Sequence, residues 1–150
     1  MINACELSKY VILKAAISGK SITHLKLQKI LYYLQGEHFK AFGRPLFPER
    51  IEAWQYGPVV PNVYYQYVPY GALNLSCLFS PTDKVNLQEV LSPEEIQCID
   101  RVIDSKLNCT ASSLVSATHK EAPWLEQADL VKEGKRPVIS NDSIYKFFVR

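Results

Sequence analysis

The stretch from Leu25 to Phe42 limits what this chain can fold into more than any other part of the sequence. At 100° per residue, its apolar positions from Leu27 to Ala41 fall within one arc, and the aromatic side chains beside them extend that arc past half the circumference. A surface helix needs only one apolar stripe. The pattern therefore predicts the central helix of a small bundle, covered by neighbours on most sides.

Helical periodicity and capping residues predict further helices on both sides of this central one. One helix is expected at about residues 4–18, one from Pro61, one after Ser92-Pro93, one after Thr110, and a last one after Ser140. Residues 50–56 alternate as a short strand does, and residues 85–87 are a candidate partner strand. We predict one domain over residues 1–150, mainly α, with about six helices around a central buried helix and at most a small two-stranded β-element.

Composition favours a folded protein and excludes several classes. Hydrophobic residues make up 47% and charged residues 21% of the chain, which is typical of a globular domain. No apolar run approaches the roughly 20 residues that span a bilayer, and the N-terminus lacks the basic start of a signal peptide. We expect a cytoplasmic protein without a membrane partner, with Cys5, Cys77, Cys98 and Cys109 as reduced thiols.

Charge is uneven along the chain although the total is only +2. Residues 1–44 carry seven basic and two acidic side chains, a net +5, whereas residues 45–100 carry two basic and seven acidic ones, a net −5. The N-terminal part could offer a basic face to an acidic partner; alternatively, the oppositely charged segments pack together. A nucleic-acid binder is not favoured, because no arginine precedes Arg44 and no helix carries base-reading residues at suitable spacing.

Motifs for catalysis and for metal or cofactor binding are missing. The sequence holds no G-x-S-x-G, P-loop, G-x-G-x-x-G or H-E-x-x-H pattern, no CxxC, and only three scattered histidines. A pair of Cys77 or Cys109 with His119 is the one nucleophile–base combination that can be imagined. We predict a protein that is not an enzyme and binds no metal or cofactor.

Two uncommon motifs give the chain a family resemblance. LKLQKILYYLQGEHFKAFGRPLF followed by IEAWQYGPVVPNVYYQY, and ATHKEAPW downstream, resemble in sequence and order the two elements of the Panacea domain, found in phage-associated, GepA-like and SocA-like proteins. Departures are Glu37, where the family often has an aromatic residue, and the long loop over residues 72–91. The motif positions to which we assign a structural role are Leu27, Tyr32, His38, Gly57, Pro58, Thr118, His119, Pro123 and Trp124.

The resemblance implies an antitoxin that binds and neutralises a cognate toxin by protein–protein contact. It also leaves open an adaptor that delivers the toxin to a protease, and a DNA-binding phage regulatory protein. A homo-oligomer is a further open possibility. The partner-binding hypothesis rests on the flank of the helix opposite the added aromatic side chains, and on the strand that follows, with Lys26, Lys29, Tyr33, Lys40, Trp54 and Tyr56 as its residues. The alternatives are an ordinary solvated flank and a Trp54 that seals the strand against the helix.

The three histidine and tryptophan positions of the motifs have structural interpretations of their own. His38 lies within the apolar arc and is expected to be buried and hydrogen-bonded, with a backbone carbonyl or a tyrosine hydroxyl as partner. His119 and Trp124 are expected to lock a turn at a helix end.

Overall fold

Eight helices and three short strands form the regular structure of the computed structural model, which describes residues 1–150. The helices are α1 (Ala4–Ile17), α2 (His24–Phe42), α3 (Pro61–Tyr67), α4 (Pro93–Leu107), α5 (Ala111–Thr118), α6 (Ala122–Leu125), α7 (Ala128–Lys132) and α8 (Asn141–Phe148). The strands are β1 (Ile51–Trp54), β2 (Gly57–Val59) and β3 (Val138–Ile139). Single 3-10 turns lie at Val68–Tyr70, Leu75–Leu78 and Leu87–Glu89.

Helix α2 is the element around which the others pack. Thr23 caps its start by accepting a hydrogen bond from the Lys26 backbone N–H, and Gly43 ends it with a φ of +71°. Fourteen of its 19 residues are buried, and it contacts α1, α3, α4, α5, α8 and β2. The predicted central buried helix is confirmed, as is the mainly α fold class.

The small sheet differs from the one expected. Strand β1 is central, and it pairs antiparallel with β2 on one side and with β3 on the other. The extended run was predicted over residues 50–56 only, but the chain turns back across the two-residue loop Gln55-Tyr56 and continues as β2. The expected partner strand at 85–87 is wrong, because Leu87 instead begins a 3-10 turn and is buried in the core. The expected limit of two strands is therefore exceeded by one.

The helix starts follow their caps closely. Ser92 and Glu95 form a reciprocal capping box at the start of α4, and the side chains of Thr110 and Ser140 accept backbone N–H bonds at the starts of α5 and α8. The expected number of about six helices is low, because α6 and α7 are only four and five residues long. Such short helices carry too few turns to leave a periodic signal. No helix combines the length and apolarity needed to span a membrane.

Candidate functional site

The β1–β2 hairpin is fastened to α2 by two consecutive helix residues. The Lys29 side-chain nitrogen donates a hydrogen bond to the Pro58 carbonyl oxygen at 3.0 Å, and the Val60 backbone N–H donates to Gln28 Oε1 at 2.9 Å. Lys29 is fully shielded from solvent. Burial lowers its pKa from 10.5 to about 7, because a desolvated ammonium is costly. These two bonds fix the hairpin exit against the middle of the first motif.

Gly57 allows this close approach. Its φ of +114° lies in the region that favours glycine. A Cβ atom at Gly57 would lie 2.7 Å from Lys29 Cε and 2.8 Å from Thr118 Oγ1. The glycine of the first motif therefore touches the second motif as well, and a larger residue would separate them.

The second motif closes over the end of β1. The ring of His119 stacks on Trp124, with centroids 4.0 Å apart and an angle of 19°. Trp124 Nε1 donates to the Trp54 carbonyl oxygen at 2.8 Å, and Thr118 Oγ1 donates to the Val115 carbonyl oxygen at 2.9 Å. The expected His119–Trp124 turn is confirmed, and it ties α5 and α6 to the strand. Burial, with the nearby charge of Lys29, lowers the pKa of His119, while the Gln55 backbone acts in the opposite direction.

Glu121 joins the same two motifs on another side. Its carboxylate accepts hydrogen bonds from the hydroxyls of Tyr32 at 3.0 Å and Tyr33 at 2.7 Å. Burial raises the pKa of Glu121, and the two hydroxyl donors offset part of that rise. Burial and the adjacent carboxylate also raise the pKa of both tyrosines. Lys106 lies 4.0 Å from the centre of the Tyr33 ring, in a cation–π contact.

His38 forms a separate polar cluster at the other end of α2. The ring is 1% exposed; its Nδ1 donates to the Arg44 carbonyl oxygen, and its Nε2 is hydrogen-bonded to Glu95 Oε2, each at 2.7 Å. The expected burial and backbone carbonyl partner are confirmed, while the second partner is a carboxylate rather than a tyrosine hydroxyl.

Most of the residues proposed for partner binding are not at the surface. Lys26, Lys29 and Tyr33 are 8%, 0% and 5% exposed, so the prediction of an outward flank is wrong for these three. Helices α4 and α5 cover that flank, and the carbonyl oxygens of Leu107 and Pro58 accept from the two lysines. Helical periodicity cannot predict the burial of these lysines, because a long lysine side chain can bury its stem when a carbonyl oxygen accepts a hydrogen bond from its charged end.

The remaining proposed partner residues lie apart from one another. Lys40 is exposed near the C-terminal end of α2, and Tyr56 is 58% exposed in the hairpin loop. Trp54 is 7% exposed, in agreement with its interpretation as a residue that seals the strand. Of the structural motif positions, Leu27 and Tyr32 are buried as the apolar arc predicts, and Pro123 is buried as well.

A cavity of about 350 Å³ opens beside the hairpin. Its lining includes His24 and Gln28 from the start of α2, Trp54 and Tyr56 from the hairpin, Tyr64 from α3, and Arg136. The Arg136 guanidinium lies 3.6 Å from the centre of the Trp54 ring, and Tyr64 meets Trp54 and His24 with centroids 4.6 Å apart in each case. The sequence did not indicate this site: His24 was one of three scattered histidines, and Arg136 belonged to no predicted element or motif.

No three His, Cys, Asp or Glu side chains gather in a way that could hold a metal ion. The Cys109 thiol donates to the Ser105 carbonyl oxygen, and Cys77 accepts from Asn74, so the hydrogen bonds of both thiols are directed away from His119. The arrangement around the hairpin is thus one of packing and hydrogen bonding between elements.

Comparison with known proteins links both motifs to one family. Residues 27–125 match the model of the family described as Antitoxin SocA-like, Panacea domain. The chain is 34% identical over 117 residues to the Antitoxin SocA of Caulobacter vibrioides (strain NA1000 / CB15N), an alignment that covers 74% of this chain. The chain spans 62% of the length of that relative. No solved structure matches.

Proposed function

Because this chain belongs to the SocA-like Panacea domain family, we propose that it is an antitoxin that neutralises a cognate toxin by protein–protein contact. The observation that carries the proposal is the family match, which includes both motifs that meet at the hairpin. The name of the 34% identical relative, Antitoxin SocA, supports the same function. Neutralisation in this proposal is steric and needs no chemistry from the chain.

The contact surface is expected to lie around the hairpin, where the motifs hold an exposed aromatic side chain in place. Tyr56 is 58% exposed at the tip of the hairpin loop, and the backbone beneath it is fixed by Lys29, Gln28 and Trp124. A rigid, exposed tyrosine is a common anchor in protein interfaces, since little conformational entropy is lost when it binds. Lys29 and Tyr33 then contribute to binding indirectly, by supporting the hairpin.

Co-expression with the product of the adjacent open reading frame tests the proposal. We expect that product to arrest growth alone and the intact chain to restore growth. Tyr56→Ala should weaken the rescue, whereas Tyr65→Ala, which removes a 63% exposed tyrosine from α3, should preserve it. Failure of the intact, folded chain to rescue any neighbouring toxic product would contradict the antitoxin function. Equal rescue by both variants would contradict the hairpin as the contact surface.

The family resemblance also supports a second candidate, delivery of the toxin to a protease. The same co-expression, repeated in hosts that lack individual ATP-dependent proteases, distinguishes the two. Direct neutralisation predicts rescue in every host, with toxin levels unchanged. Delivery predicts that rescue disappears in one host and that the toxin accumulates there.

A further inference from the structure

The cavity beside the hairpin contains buried polar atoms without partners. Gln28 is 1% exposed, and its Oε1 is already occupied by the Val60 N–H, which leaves the Nε2 group unpaired at the cavity. His24 is 8% exposed, and neither of its ring nitrogens has a hydrogen-bond partner. Buried polar groups are normally satisfied, so these donors point to something that occupies the cavity.

His24 is suited to donate to a ligand without itself carrying a charge. Burial and then the charge of Lys29 lower the pKa of His24. A neutral imidazole donates from one nitrogen and accepts at the other. Together with the Gln28 amide, it places uncharged donors in the cavity lining, and a buried ion is costly unless it is hydrogen-bonded.

The charges around the cavity favour an anion. Lys135 and Arg136 line it, the N-terminal end of the 19-residue α2 contributes its positive dipole, and no aspartate or glutamate is part of the lining. Two carboxylates lie beside the lining: Glu52 accepts from Arg50 and from Trp54 Nε1, and Glu133 pairs with the exposed Lys135 at 3.5 Å. Arg136 is the lining cation that has no carboxylate partner.

The rest of the lining suits an apolar group. Leu25, Val59 and Val131 provide aliphatic walls, and Tyr64 provides an aromatic one. A volume of about 350 Å³ is at the lower end of the range of roughly 300–1,000 Å³ for small-molecule sites. It exceeds what a water molecule or an inorganic anion alone would fill.

We propose that this cavity binds a small organic carboxylate with an aromatic or aliphatic side group, either as a free acid or as the C-terminal residue of a polypeptide. The carboxylate accepts hydrogen bonds from the Gln28 amide and the His24 ring, with Lys135 and Arg136 supplying opposite charge. The side group packs against Leu25, Val59 and Tyr64. This inference does not depend on the antitoxin function.

The direct test is a nuclear magnetic resonance titration of the ¹⁵N-labelled full chain at neutral pH. N-acetyl-L-phenylalanine is the probe, and its carboxamide, which has the same shape without the charge, is the matched control. We expect saturable shifts of the Gln28 side-chain amide and at least about tenfold tighter binding of the acid. Equal affinity for the two, or no saturable shift at the cavity, would overturn the proposal and leave solvent as the partner of these atoms.

Variants locate the site. Gln28→Glu retains the oxygen that accepts from Val60 and replaces the donor by a negative charge, so it should abolish binding. Lys135→Gln should weaken binding severalfold, whereas Lys132→Gln, which removes the same charge from the neighbouring exposed position, should not. Unchanged binding by a folded Gln28→Glu chain, or equal weakening by the two lysine variants, would contradict the assignment. If Gln28→Glu fails to fold, the lysine pair decides.

A last arm separates the two sources of the ligand. A pentapeptide that ends in phenylalanine with a free carboxylate is compared with the same peptide carrying a C-terminal amide. Binding of the free-carboxylate peptide at least as tightly as the N-acetyl amino acid assigns the site to a polypeptide C-terminus. Binding of the N-acetyl amino acid alone assigns it to a small molecule.

Discussion

The side-chain nitrogen of Lys29 lies 3.0 Å from the carbonyl oxygen of Pro58, at a position fully closed to solvent. This bond joins the centre of α2 to the strand that leaves the hairpin. Because Gly57 lies against both the lysine stem and Thr118, the bond also lies where the two sequence motifs meet. A lysine that looks like a surface residue in the sequence is thus a structural element of the core.

Lys29→Ala should lower the free energy of unfolding by about 2–4 kcal/mol. The change removes the buried stem and leaves the Pro58 carbonyl oxygen without its donor. Lys40→Ala, at an exposed position of the same helix, should change it by less than about 0.5 kcal/mol. Urea unfolding of the two variants measures the difference, and similar values for both would refute the structural role of Lys29.

The pH dependence of stability should also report on Lys29. Its pKa is about 7 in the folded chain against 10.5 when exposed, so unfolding takes up a proton between these values. The free energy of unfolding should therefore rise with pH across this window, and the contribution should be lost as the pH falls towards 7. Lys29→Met, which retains the apolar stem, should show a smaller rise between about pH 7 and 8.5. Parallel pH profiles for the two proteins would show that Lys29 does not titrate this way.

Gly57→Ala should be more harmful than alanine at another glycine of positive φ. Gly19 has a φ of +66° with open space around it, so Gly19→Ala should cost only the backbone strain of about 1–2 kcal/mol. Gly57→Ala adds the displacement of Lys29 and Thr118, for a further cost of about 1–3 kcal/mol. Melting temperatures of the two variants are compared directly. A smaller loss at Gly57 would mean that the motifs do not touch as described.

Glu95→Gln should destabilise the chain by about 1–3 kcal/mol. The Glu95 carboxylate is hydrogen-bonded to His38, forms an ion pair with Arg44 and accepts a hydrogen bond from the Ser92 N–H. Burial alone would raise the pKa of Glu95, but the bonds from His38 and Ser92 and the charge of Arg44 lower it overall. Its contribution is therefore present above the usual carboxyl pKa and is lost as the pH falls below it.

The control for this substitution is Glu94→Gln, which removes an exposed carboxylate from the same first turn of α4. It should cost only a few tenths of a kcal/mol from the helix dipole. Denaturant unfolding at neutral pH measures both variants. A loss as large for Glu94→Gln as for Glu95→Gln would show that the cluster around His38 adds nothing beyond the helix start.

Local sequence signals predicted the helices well and the tertiary pairing poorly. Ser92, Thr110 and Ser140 mark their helices because a cap acts within one turn. The apolar arc of α2 identified the central helix, since burial leaves a periodic trace. Strand β3, by contrast, is only two residues long, and it begins 84 positions after Trp54, the last residue of its partner β1. No local sequence signal therefore predicts it.

The candidate site was least accessible from the sequence. The exposure of Lys26 and Lys29 depends on the positions of the carbonyl oxygens of Leu107 and Pro58. A helical wheel of α2 gives no information on these positions. The cavity likewise assembles His24, Tyr64 and Arg136 from distant parts of the chain. The motif resemblance did identify residues of this region, because Gly57, Thr118 and Trp124 belong to the motifs and all lie at the hairpin.

The proposed capture of a toxin by direct contact can be tested with the two purified proteins. The most direct measurement is isothermal titration calorimetry of the purified chain with the purified, inactivated product of the adjacent open reading frame, at low and high salt. We predict a tight complex of fixed stoichiometry whose affinity changes little with salt, and which Tyr56→Ala weakens. No heat of binding from a folded chain, together with salt-sensitive binding to its own operator DNA, would contradict it.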